Sequence, residues 1–138
     1  MNFTLLAADN ISELLNKIIE FTQIRQKTLT QNINNICRPG FVPKDMAVEE
    51  FSALLHEALD EHTHNGRLLL RDTENIKFGP CGSFKVKPIV DEYARELLEE
   101  DVEDYLELQI DKLIENSFNQ RVAAELLRQR QEAILTAL

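Results

Sequence analysis

The last quarter of the chain is a helix that nothing interrupts, and it needs a partner along its whole length. From Leu106, alternate steps of four and three residues land on Ile110, Leu113, Ser117, Gln120, Ala124, Leu127, Gln131, Ile134 and Leu138, with no Pro or Gly between them. Seven of these ten positions are apolar, whereas the residues between them, among them Lys112, Glu115, Arg121, Glu125 and Arg128, are mostly charged. That is the pattern of a coiled-coil seam. Residues 106–138 at about 1.5 Å each make a rod of roughly 50 Å, too long for ordinary packing in a small domain. The fold therefore turns on what lies against it.

The same four-three step runs near the start of the chain through Ile11, Leu15, Ile18, Thr22, Arg25, Leu29, Asn32 and Ile36. Asn10 with Glu13 three residues on has the spacing of a capping box, and Asp9 adds negative charge where a helix start favours it. The pattern predicts an N-terminal helix over residues 9–37. Thr22, Arg25 and Asn32 fall in its seam, and polar seam residues lower pairing stability while fixing register. The helix suits either an ordinary bundle or one half of an assembly surface.

Pro39 and Gly40 suit the two central positions of a type II turn, with Phe41 as an anchor just beyond, so residues 38–45 read as a turn. Asp45 as N-cap then opens a middle helix over residues 46–64, with Val48, Phe51, Leu55, Ala58 and His62 on one face and Asn65-Gly66 at its close. In residues 65–90 the period changes: Ile76 and Phe78, then Phe84 and Val86, alternate on either side of a Gly-Pro-Cys-Gly turn, which reads as a small hairpin. Residues 91–138 form an acidic segment and the C-terminal helix. Between Asp91 and Asp111 ten carboxylates face one Arg95, a run expected of a solvated helix face.

Charge and composition narrow the function classes. The formal charge of −9 sits in the middle of the chain, where residues 46–111 carry six basic and seventeen acidic side chains, while both ends are near neutral. Net acidity without a basic patch, no Trp and only nine aromatics speak against nucleic acid as a partner. No apolar run approaches the roughly 20 residues needed to cross a bilayer, so no membrane insertion is expected. The opening residues lack the positive region of a secretory signal.

Cys37 and Cys81 have no partners at metal-ligand spacing and read as free thiols. His56, His62 and His64 do not make an HExxH pattern, and the ExxH spacing from Glu61 to His64 lacks a second copy. No nucleophile motif and no phosphate-binding glycine loop occurs. The expectation is a protein without catalytic, metal or cofactor sites.

Residues 31–45 read Gln-Asn-Ile-Asn-Asn-Ile-Cys-Arg-Pro-Gly-Phe-Val-Pro-Lys-Asp. This stretch resembles the N-terminal motif of bacterial flagellar axial proteins, in particular the FlgB family of proximal rod proteins. In that family an Asn-Ile-Ala-Asn segment ends the first helix, followed by Thr-Pro-Gly, an aromatic residue, a basic residue and Asp. Asn32, Ile33, Asn35, Pro39, Gly40, Phe41, Lys44 and Asp45 match; Asn34, Ile36, Cys37 and Arg38 depart. At the other end Lys112, Leu113, Glu115, Asn116, Glu125, Leu126, Leu127 and Arg128, with the closing Thr-Ala-Leu, resemble the family's last helix at corresponding spacing. The family's Asn-x-Val-Asp segment is not visible near Glu103, and residues 46–105 do not align.

The resemblance implies a structural subunit of the flagellar basal-body rod, located in the periplasm and exported unfolded without a cleaved signal. Its partners would be other rod and basal-body proteins, further copies of itself, and the export apparatus. Together the readings predict a mostly α protein: an antiparallel coiled-coil hairpin of the terminal helices, with the middle helix and hairpin at its far end. Leu15, Ile18, Leu29, Asn32, Ile36, Ile110, Leu113, Leu127, Ile134 and Leu138 are the expected assembly contacts, and Pro39, Gly40 and Phe41 the turn. The alternative is a soluble helical adaptor or regulator that forms a coiled-coil homodimer.

Overall fold

A computed structural model describes the backbone of residues 3–137 and the side chains of residues 10–80 and 82–137. Leu138 and the Cys81 side chain lie outside the described residues. Helix α1 (Phe3–Asn34) runs without a break, because no Pro or Gly occurs before Pro39. It starts seven residues ahead of the expected cap. Asn10 is therefore inside the helix, and its amide donates to the Gly66 carbonyl at 3.1 Å instead of capping.

Beyond α1 come a strand β1 (Lys44–Asp45), helix α2 (Val48–Asn65), a hairpin of β2 (Ile76–Phe78) and β3 (Phe84–Val86), a strand β4 (Ile89–Val90), helix α3 (Glu92–Glu100) and helix α4 (Val102–Ala137). β2 and β3 pair antiparallel, with Ile76 opposite Val86 and Phe78 opposite Phe84, as the alternation predicts. β1 and β4 make a second antiparallel pair that two-residue strands give no pattern to reveal. Gly66 closes α2 in the left-handed conformation, its N–H bonded to the His62 carbonyl. The acidic segment and last helix are not continuous. The chain is extended at Asp101, which accepts from the Glu103 and Asp104 amides and so starts α4.

The terminal helices pair antiparallel: Asn32 of α1 meets Gln109 of α4, while Thr22, further back along α1, meets Asn116. The middle elements do not sit at the far end of this pair. α2 folds back along α1, stacking Phe51 on Phe21 with ring centroids 4.1 Å apart, and the hairpin closes over both. The apolar core is thus Phe21, Met46, Phe51, Leu54 and Ile76, flanked by Phe78 and Phe84. Burying these residues outweighs leaving the middle as a separate cap, since each large side chain removed from water contributes about 1.5–3 kcal/mol. α1 is the hub: α2 with the hairpin, and α4, all pack on it, and α2 and α4 flank a common cleft.

Candidate assembly surface

The interface of α1 with α4 is polar at its centre. The N-terminal heptad places Thr22, Arg25 and Asn32 inside, and all three are buried. Arg25 meets Asp45 through two parallel bonds, Nε to Oδ1 at 2.9 Å and a terminal nitrogen to Oδ2 at 3.1 Å. Lys112 Nζ donates to Asp45 at 2.9 Å and to Asp91 at 2.6 Å. Asp91 in turn caps α3 by accepting from the Ala94 amide. Four charges from α1, β1, α4 and the start of α3 therefore neutralise one another behind the seam.

Their titration reflects the balance of burial and pairing. Burial alone would raise the Asp45 carboxyl, but the hydrogen bonds and charges of Arg25 and Lys112 outweigh it and hold Asp45 below the ordinary carboxylate range. Burial would likewise pull the Lys112 ammonium down, yet Asp91 and Asp45 push it above its ordinary value. Tyr105 is pushed up to about 12, mainly by burial and further by the Asp91 charge.

Two turns further along α1, Asn32 organises a second cluster. Its amide nitrogen donates to the Lys44 carbonyl at 2.7 Å and to Gln109 Oε1 at 3.0 Å, while its oxygen accepts from the Lys44 amide at 3.1 Å. The Tyr105 hydroxyl donates to the Asn32 carbonyl at 2.8 Å. Asn32 thus clamps the end of α1, the strand after the turn, and the first turns of α4. The turn has the expected form: the Phe41 amide bonds the Arg38 carbonyl at 3.2 Å, and Gly40 has φ +74°. Asp45, expected as the cap of α2, serves the ion network instead.

These bonds set the register of α4. Its inward face is Tyr105, Gln109, Asn116 and Ala123, one residue earlier than the apolar count in the first half of the helix. A buried polar group left without a partner is costly, so the polar residues that find partners on α1 decide which face turns inward. Leu15, Leu29 and Asn32 are buried within the chain, and Ile18, Ile36, Leu113, Leu127 and Ile134 are partly covered. Pro39 and Gly40 are exposed and Phe41 is partly covered. Ile110 is 48% exposed.

The same rotation turns apolar side chains outward. Ile110, Ile114, Phe118, Val122 and Leu126 recur at every fourth residue of α4, and each is 41–65% exposed. The strict four-residue step was the signal for this ladder, separate from the four-three seam. Phe118, Val122 and Leu126 also form one wall of a cleft of about 350 Å³, with Leu15 and Ile18 below and Leu55 opposite. Among the described residues no cluster of His, Cys, Asp and Glu could hold a metal, and no helix is long and apolar enough to cross a membrane.

The chain exposes 8984 Å². A compact monomer of 15.9 kDa is expected to expose roughly 7,400 Å². The excess of about 1,600 Å² is that of a chain built on two long helices rather than a compact globule. Compared with protein-family models, curated proteins and solved structures, the chain finds no match.

Proposed function

We propose that the chain is a structural subunit of the bacterial flagellar basal-body rod, assembling with neighbouring subunits through its paired terminal helices. The observation that carries this reading is the Asn32 clamp. The stretch that resembles the axial-protein motif is the point where α1, the turn and α4 are tied together, and the matching residues Asn32, Lys44 and Asp45 supply the ties. The exposed ladder on α4 adds support, since it leaves apolar surface for neighbours to cover. Unfolded export and later burial against neighbours agree with a helix pair whose centre is polar.

Deletion of the gene in the source organism, with motility scored and purified basal bodies analysed for protein content, tests this reading. Loss of swimming, with the protein present in wild-type rods, is the expected result. Intact rods lacking the protein would make the soluble adaptor the working assignment.

Gly40→Val is expected to impair incorporation while sparing the fold. No heavy atom lies within 4 Å of where its first side-chain carbon would sit, so the change acts through backbone strain. That strain is about 1–2 kcal/mol for a side chain held at positive φ. Comparing rod incorporation with the urea midpoint of the purified variant separates the two effects. Normal incorporation would remove the turn from the assembly motif.

A further inference from the structure

A second row runs along α4 beside the apolar ladder. Glu103, Glu107, Asp111 and Glu115 also recur every four residues, and each of the last three precedes a rung by three positions: Glu107 with Ile110, Asp111 with Ile114, Glu115 with Phe118. Residues three and four apart are neighbours on a helix surface, so the two rows are adjacent parallel ridges. All four carboxylates are exposed. Glu103, Glu107 and Asp111 make no ion pair among the described residues, and Glu115 approaches only Arg25, at 4.0 Å. The stretch from Asp91 to Glu115 holds eleven acidic and two basic side chains, a net charge of −9 that equals that of the whole chain.

We infer that this double ridge is a docking site for a basic amphipathic helix of another protein. The inference rests on the reading of α4 as an assembly surface and names the chemistry of the neighbour. Ridges at four-residue spacing pack into the grooves of a helix crossing at about 50°. Successive rungs turn about 40° around the helix, so a helix crossing at about 50° centres on the middle rungs Ile114, Phe118 and Val122. Apolar anchors of that helix cover Ile114 and Phe118, and one enters the cleft beside Val122 and Leu126. Its Lys or Arg residues meet the carboxylate ridge.

Among the described residues a second copy offers no strongly basic helix: its exposed Lys77, Lys85 and Lys87 lie on the hairpin and just after it, and α1 adds Lys27. The exposed faces of α2 and α3 carry Glu49, Glu57, Asp60, Glu96 and Glu99, and are themselves acidic. Past Phe118, Arg128 is already paired with Glu125 and Glu132. Two ladders laid parallel would set one row of carboxylates against another, which like-charge repulsion opposes; laid antiparallel they would offer that row only Arg121 and the partly covered Arg130. An anionic bilayer is disfavoured on the same ground.

The test uses the full chain and two synthetic helical peptides of about five turns, with identical Leu anchors and either Lys or Glu on the flanks. Binding is read by fluorescence anisotropy. The Lys peptide is expected to bind and the Glu peptide not. Ile114→Ser and Phe118→Ser are each expected to weaken binding roughly tenfold, with unchanged circular dichroism because both side chains are exposed. Glu107→Gln with Asp111→Asn is expected to weaken binding at low salt and flatten its salt dependence. Glu49→Gln with Asp60→Asn, on α2, is the control and should leave binding intact.

Equal loss in the α2 control, or no effect of Phe118→Ser, would overturn the inference by showing general attraction to an acidic protein. A dimer in sedimentation that Phe118→Ser abolishes would overturn it in favour of a second copy. Failure of the Lys peptide to bind, or equal binding of the two peptides, would also overturn it. These outcomes are independent of motility, so a failed rod assignment and a failed docking site are distinguishable.

Discussion

Asp45→Ala is expected to destabilise the folded chain by about 3–5 kcal/mol, the range for removing one member of a buried ion pair. Asp45 is 8% exposed and accepts from both Arg25 and Lys112. Its removal leaves the Arg25 guanidinium buried against α4 with only a long approach to Glu115, at 4.0 Å. Urea denaturation at neutral pH measures the effect as a lowered midpoint at unchanged slope. Adding Arg25→Met to Asp45→Ala is expected to recover part of the loss, because the uncompensated guanidinium goes with it while Lys112 keeps its bond to Asp91. A change below about 1 kcal/mol for Asp45→Ala would mean that water screens the network and that it does not hold α4 in register.

The same carboxylate sets an acid limit. Its folded pKa lies below the ordinary value of 3.8, so its contribution is complete above that value and is lost as pH falls through the folded one. Lys112 and Tyr105 set the alkaline limit. The folded pKa of Lys112 lies above 10.5, so its contribution is complete below that value and disappears as pH rises through the folded one. Tyr105, neutral in the fold up to about 12, ionises more readily once unfolded and drives stability the same way. A stability plateau is therefore expected from about pH 4 to about pH 10. In Asp45→Ala both limbs should be shallower, because the carboxyl itself is gone and Lys112 keeps only one of its two carboxylate partners.

Asn32→Ala is the second large effect, at about 2–4 kcal/mol. It strips both bonds to the Lys44 backbone and the bond to Gln109, whose Nε2 already lacks a partner among the described residues. The residue is 1% exposed, so water cannot replace those bonds without opening the seam. Hydrogen exchange should show faster opening at the start of α4 and in residues 35–43 than in the Phe21 and Phe51 core. Uniform loosening across the chain would instead mean that the clamp and the core unfold as one unit. Under the rod assignment the same variant should incorporate poorly even below its melting temperature.

Much of the fold was written in local patterns. The heptad of α1 identified its buried face, down to Thr22, Arg25 and Asn32, because a continuous helix carries its register unchanged from turn to turn. The β2 and β3 hairpin, the Pro39-Gly40 turn and the end of α2 at Gly66 also followed from residues close in sequence. Glycine's tolerance of positive φ and a period of two act within a few residues and need no tertiary partner.

The apolar seam of α4 did not follow in the same way. Counting apolar residues selected Ile110 as inward, but the network of Asp45 with Lys112, and of Asn32 with Gln109 and Tyr105, joins residues 67 to 77 positions apart. Satisfying those buried groups outweighs covering one more Ile, and the helix rotates by one residue. Two long helices, a hairpin and a turn were legible from short-range patterns alone. The return of α2 along α1 and the exposure of the α4 ladder emerged only on folding, because burial and hydrogen-bond partners are properties of distant residues brought together.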